Sequence, residues 1–152
     1  MAYLKVWIHY IWTTKYKEPL IKPVLLHPLI QHMYCYAKSK SICIESINGY
    51  TDHMHALVRL NSMQTIAKTA QLLKGESARW LNNQAASNNQ LFNGTPFEWQ
   101  RSYYALSVGE AELKRINRYI KNQELQHTLK ELGLEYAYAE DMVKKRIEYP
   151  AD

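Results

Sequence analysis

Ile47-Asn48-Gly49-Tyr50-Thr51-Asp52-His53-Met54-His55-Ala56-Leu57-Val58 is the stretch on which the fold turns. An Asn-Gly pair stands between two short runs, Ile42 to Ser46 and His53 to Leu60. Asn-Gly between strand-like runs is a strong hairpin signal, because both residues tolerate positive φ. The two runs therefore read as antiparallel strands with their turn at Asn48-Gly49. Before them, Leu4 to Thr14 (LKVWIHYIWTT) is rich in β-branched and aromatic residues. It reads as a long strand, apolar on both faces and hence central. Lys15 to Pro19 reads as a turn. Val24 to Lys40 carries Leu25, Leu29, Ile30, Met33 and Ala37 at helical spacing. Pro28 is tolerable only in a first turn, so this helix is expected to start a little after Val24.

Beyond the hairpin, Asn61-Ser62 is positioned to cap a helix running to about Asn82. Gly75 inside it costs about 1 kcal/mol against Ala, so it reads as a close backbone approach or a kink. Asn82 to Pro96 reads as a polar loop with a brief apolar contact through Leu91 and Phe92. Phe97 to Val108 reads as a strand. Glu110 to about Leu132 reads as a helix carrying Leu113, Ile116, Ile120 and Leu125, ended by Gly133. A shorter helix, Glu140 to Arg146, follows. The first six elements, strand-helix-strand-strand-helix-strand, give the split βαβ order of an α+β, ferredoxin-like or RRM-like fold. Its antiparallel sheet has helices on one face and leaves the other for a ligand, a partner or a late helix. Residues 1–152 are expected to form a single domain.

With 47% hydrophobic residues the chain can build a core, which excludes a disordered chain. The formal charge of +5 is compatible with a polyanionic partner. Twelve tyrosines and four tryptophans against two phenylalanines favour half-buried surfaces, including ones that stack bases. Cys35 and Cys43 form no disulfide framework and no metal-type spacing, so a reduced cytoplasm is the simplest compartment. No signal peptide precedes the first strand, and no apolar run reaches membrane-spanning length.

Two constellations carry chemistry. Strand side chains alternate, so His53 and His55 point the same way and their rings can converge on one divalent metal ion. Asp52 beside them reads as a further ligand, an orienter of a ring, or a strand-start residue. Tyr119 and Gln123, four apart on a helix, share one face. The Gln carbonyl oxygen can be a third ligand and the phenol a nucleophile, activated by a nearby cation. Arg115 and Arg118, with Lys114 and Lys121, line the same helix, and Lys74 and Arg79 lie on the earlier one. These are candidates for phosphate contacts, while Trp12, Trp99, Tyr103 and Tyr104 are candidates for base stacking.

In combination these residues resemble a known family. Asp52-His53-Met54-His55-Ala56-Leu57-Val58 resembles the histidine-hydrophobic-histidine (HUH) motif of the single-tyrosine HUH transposases of small bacterial insertion sequences, a superfamily that includes the REP-associated tyrosine transposases. Trp12 to Leu20, Leu73 to Ala78, Trp99 to Val108 and Tyr119 to Gln123 resemble, in order, that family's first strand and turn, second helix, fourth strand and nucleophile helix. The resemblance implies Mg²⁺ or Mn²⁺ held by His53, His55 and Gln123, with Tyr119 as nucleophile. It implies cleavage of single-stranded DNA through a 5′-phosphotyrosine link, rejoining by another 3′-hydroxyl, and recognition of DNA hairpins at element ends. Lys15, in the turn after the first strand, joins Lys74, Arg79, Arg115 and Arg118 as a candidate DNA contact. A homodimer, with sites completed in cis or in trans, is also implied. Where many relatives carry a histidine pair after the Gln, this chain has Gln126-His127, which leaves His127 as an alternative ligand. A domesticated hairpin-DNA endonuclease and a non-catalytic nucleic-acid-binding module are the competing readings.

Overall fold

The computed structural model describes residues 2–88 and 90–123. The expected continuation of the last helix to Leu132, its stop at Gly133, the helix Glu140 to Arg146, and His127 all lie outside the described residues. Four strands, β1 (Trp7–Thr13), β2 (Cys43–Gly49), β3 (His53–Arg59) and β4 (Tyr104–Val108), form one antiparallel sheet in the order β2-β3-β1-β4. With helices α1 (Pro23–Ser39) and α2 (Ile66–Ala85) as crossovers, this is the split βαβ, ferredoxin-like topology. β1 is central, paired with both β3 and β4, and six of its seven residues are buried.

The reason both faces of β1 are apolar is that both are covered. Ile8, Tyr10 and Trp12 face one way and join Met54, Ala56 and Val58 of β3 in the main core. Leu25, Leu29, Met33 and Ala37 of α1 and Ala70, Leu73 and Leu81 of α2 close over them. Trp7 faces the other way, with Leu57 and Val108. Against these pack Ile116 and Ile120 of a third helix, α3 (Leu113–Lys121), entered through a 3₁₀ turn at Glu110–Glu112. The late helix thus covers the second face, which the sequence left open.

The boundaries differ from expectation at several places. α1 starts at Pro23, where a proline suits the first helical position, and Pro28 is accommodated inside the helix rather than in its first turn. The hydrogen bond that Pro28 cannot donate belongs to Val24, which is 75% exposed, so water can serve its carbonyl. The cap of α2 is Thr65, whose hydroxyl accepts from the Lys68 amide; Asn61 instead turns the preceding chain by accepting from the Met63 amide. The helix itself runs on to Ala85.

Asn48 and Gly49 are strand residues, paired with His55 and Met54, and the turn lies at Tyr50 to Asp52. Glycine is needed at 49 for space: a Cβ there would sit 2.5 Å from both the His53 carbonyl oxygen and the Met54 sulfur. Gly75 is the opposite case, with nothing within 4 Å of a built Cβ and an unbroken helix around it. It marks neither a close approach nor a kink.

The last strand is shorter than the run Phe97 to Val108. Trp99 makes only an isolated bridge to Thr14, and regular pairing begins at Tyr104. Between them the Lys74 ammonium donates to the carbonyls of Gln100 (2.7 Å), Arg101 (2.8 Å) and Ser102 (3.2 Å). Three successive carbonyls turned to one cation cannot also alternate along a strand. In the long connection the buried Phe92 packs on Phe97 and Phe97 on Trp99, whose indole N–H donates to the Ser77 hydroxyl of α2.

The helices α1 and α2 are clipped together by Glu76, whose carboxylate accepts from His32 of α1 (2.8 Å) and from the Arg79 guanidinium. Arg79 above all, with His32, holds the Glu76 carboxyl down at about 2 against an ordinary 4.5. A depressed carboxyl stabilises the fold in full above its ordinary value, and the contribution is lost as pH falls towards the folded value. The urea midpoint of Glu76→Gln should therefore lie below that of the parent at pH 7, and the gap should close between about pH 4.5 and 2. A gap that stays constant over that range would show that Glu76 acts by shape alone. A paired glycine test checks the packing: Gly49→Ala should lower stability by about 1–3 kcal/mol through overpacking, while Gly75→Ala should raise it by about 1 kcal/mol. Both are read from urea unfolding.

Candidate active site

The second face of the sheet, under α3, carries the polar cluster. Pairing of β3 with β1 sets Thr13 opposite His53 and Ile11 opposite His55, and alternation turns both imidazoles towards α3. Their ring centroids are 5.0 Å apart and nearly perpendicular, at 79°. Ile116 and Ile120, pressed onto Trp7, Leu57 and Val108, fix the rotation of α3 about its axis. That rotation brings Tyr119 edge-on to His55, with centroids 5.5 Å apart, and drops Gln123 onto His53. The Asn48 side chain donates to the Lys121 carbonyl at 3.1 Å, tying the end of α3 to β2.

Gln123 is fully buried, and its orientation is determined by two contacts. Its amide N–H donates to the Tyr119 carbonyl (3.2 Å), so its oxygen is the atom turned to His53 Nε2, also at 3.2 Å. His53 Nδ1 lies 2.6 Å from the Asp52 carboxylate, which can only accept from it. With its hydrogen given to Asp52, a neutral His53 ring presents a lone pair at Nε2 to another electron-pair donor, the Gln123 oxygen. Two such donors face each other comfortably across a cation, or across a proton carried by the ring itself. The donor set of two imidazoles and one amide oxygen therefore fits a divalent metal. Among the described residues no group of three His, Cys, Asp or Glu is placed to hold a metal, and the amide completes the set. Asp52 takes the part of ring orienter among the three the sequence left open.

His9 of β1 was not singled out by the sequence. It is 3% exposed, and its Nε2 lies 2.9 Å from His55 Nδ1. Burial pushes its imidazolium down to about 4, so the ring is neutral at ordinary pH. Only the strand register reveals it, since His9 and His55 are 46 residues apart.

The structure thus brings together His53, His55, Tyr119 and Gln123 within the one chain described. The basic residues are dispersed. Arg115 and Arg118 are exposed on α3. Lys15 lies just beyond the strand end that pairs with His53, in an ion pair with Glu98 at 2.8 Å. Lys74 and Arg79 stand on α2, engaged with the 100–102 carbonyls and with Glu76. Trp12 and Trp99 are core residues, 2% and 9% exposed, which removes them as stacking platforms, whereas Tyr103 and Tyr104 are half-buried. No described helix is long and apolar enough to cross a membrane.

Comparison with known proteins agrees with this architecture. The ISDra2 transposase TnpA of Deinococcus radiodurans is 27% identical over 116 residues, spanning 76% of this chain and 81% of that protein. A crystal structure of a protein assigned as a transposase from Deinococcus radiodurans R1 superposes with a TM-score of 0.62 at 26% identity, covering 81% of this chain and 95% of that one. A REP-associated tyrosine transposase, solved bound to a REP hairpin, shares the fold, with a TM-score of 0.55 at 12% identity and coverage of 100% and 90%. The profile of the family described as "Transposase IS200 like" matches residues 2–123, which hold the described sheet and the three described α-helices, and the chain belongs to that family.

Proposed function

We propose that the protein is a metal-dependent DNA strand transferase that cuts single-stranded DNA with Tyr119 as nucleophile. The observation that carries this reading is the convergence of Tyr119 and Gln123 on the His53–His55 pair, with ring and amide contacts of 5.5 Å and 3.2 Å. His53, His55 and Gln123 would hold Mg²⁺ or Mn²⁺. When bound, the ion offsets charge on the phosphate oxygens and favours the phenolate. The Tyr119 oxygen attacks phosphorus and the bond to the 3′ oxygen breaks. A 5′-phosphotyrosine and a free 3′-hydroxyl result, the phenol proton going to the departing oxygen or to water. Attack of another 3′-hydroxyl on the phosphotyrosine makes a new phosphodiester and returns the phenol. Each step exchanges one phosphoester for another, so no nucleotide cofactor is required.

Arg115 and Arg118 lie on the nucleophile's own helix, and Lys15 flanks the His53 end of β1. They are positioned for backbone phosphates running past the site. Lys74 and Arg79 contribute by holding the 100–102 segment and the α1–α2 clip, and meet DNA only where those bonds are shared. The substrate proposed is a DNA hairpin with a single-stranded flank, taken up by a cytoplasmic homodimer, and the resemblance of the motifs supports both. Each site is complete within its own chain.

Labelled single-stranded hairpin DNA incubated with the protein and Mn²⁺ should give a covalent protein–DNA band on a denaturing gel. The band should vanish with chelator and in Tyr119→Phe, and Gln123→Ala should weaken Mn²⁺ binding. A band that survives in Tyr119→Phe would move the nucleophile elsewhere. A second test addresses placement. Co-expressed His55→Ala and Tyr119→Phe chains should remain inactive, because a cis site restores neither defect. Recovery of the adduct in the mixed dimer would show that α3 serves the partner's histidines.

A further inference from the structure

The geometry points to His9 as the positioning residue of His55: it accepts the His55 Nδ1 hydrogen and so fixes which nitrogen of that ring is offered to a metal. The inference rests on the metal reading of the site given above. His9 sits in the middle of the central strand, between Trp7 and Ile11 on the same face and opposite Leu57 and Leu106 on the neighbouring strands. An apolar side chain would suit these surroundings better than an imidazole, whose burial disfavours any nitrogen left unbonded. The ring is buried to 3% and its Nε2 lies 2.9 Å from His55 Nδ1, with ring centroids 5.1 Å apart.

One hydrogen serves that contact. If it belongs to His55 Nδ1, the lone pair of His55 is at Nε2, the form a metal needs, and His9 must carry its own hydrogen at Nδ1. If it belongs to His9, the His55 lone pair is spent inside the sheet. The two ligand imidazoles are then oriented by different means. Asp52, at the turn, takes the Nδ1 hydrogen of His53 as a carboxylate. His9, deep in the sheet, takes that of His55 as a neutral ring. Outer-shell partners of this kind hold a ligand's tautomer and ring angle, and losing one costs about 10–100-fold in metal affinity.

Three variants of the full chain test this: His9→Phe, which removes the acceptor; His9→Gln, whose amide oxygen retains one; and His9→Met, smaller than Phe and with only a weakly accepting sulfur. Calorimetry with Mn²⁺ should show affinity falling about 10–100-fold in His9→Phe, with most of it recovered in His9→Gln. Nitrogen NMR of the metal-free protein, labelled in histidine, should show His55 as the Nδ1–H tautomer in the parent and in His9→Gln, and as a mixture in His9→Phe. If His9→Phe does not fold, His9→Met carries the same expectation. Unchanged Mn²⁺ affinity, or a His55 tautomer unmoved by loss of the acceptor, would overturn the proposal. A parent protein that takes up no Mn²⁺ would sink the metal reading instead, and the tautomer comparison would still decide whether His9 holds His55.

Discussion

The packing of Ile116 and Ile120 onto Trp7, Leu57 and Val108 is the contact on which the site depends. Without it, α3 has nothing to fix its rotation. Its remaining surface is strongly polar, with Lys114, Arg115, Arg118 and Lys121 all exposed. A nine-residue helix is too short to persist alone in water, so the two isoleucines also decide that the helix exists. Each buried isoleucine contributes about 1.5–3 kcal/mol. Tyr119 adjoins one anchor and Gln123 lies three residues beyond it, so the energy that folds the helix also aims the phenol and the amide. Packing and placement of the reactive groups are one event here.

The sheet supplies the complementary half. A histidine pair on β3 is useful only if its face is partly buried and partly lined by polar partners. Central placement of β1 does the first, and the turn at Tyr50 to Asp52 does the second by delivering Asp52 to His53. The cost appears at Gly49, where the backbone of β2 runs so close to His53 and Met54 that no side chain fits. Asn48, its neighbour, reaches in the other direction to hold the end of α3. A two-residue stretch that resembles a turn is thus a strand segment that lets the strands and α3 crowd together.

This explains what could be read in the chain and what could not. Alternation placed His53 and His55 on one face, and helical spacing placed Tyr119 with Gln123, because both are local periodicities. The element order was legible for the same reason, down to a central first strand with two apolar faces. Asn48-Gly49 misled because a glycine required for space and one required for positive φ look identical in sequence. The run Phe97 to Val108 misled because its strand-like composition is overruled by one distant cation, Lys74, that gathers three carbonyls. His9 was invisible because its meaning comes from pairing with a residue 46 positions away. Trp12 and Trp99, candidates for stacking by type, are needed by the core.

Arrangement of the two imidazoles also bears on charge. Asp52 brings a formal negative charge to the His53 side, whereas His9, neutral because burial pushes its imidazolium to about 4, brings none to the His55 side. A carboxylate behind a ligand ring raises that ring's basicity, while a neutral acceptor fixes geometry with less effect on charge. The phenol of Tyr119 stands against His55, the ring without the carboxylate. An anion behind that ring would disfavour a phenolate a few ångströms away, by the same repulsion that raises the pKa of one of two neighbouring carboxylates. Placing the carboxylate behind His53 and the neutral ring behind His55 keeps both imidazoles oriented with a single negative charge behind the pair.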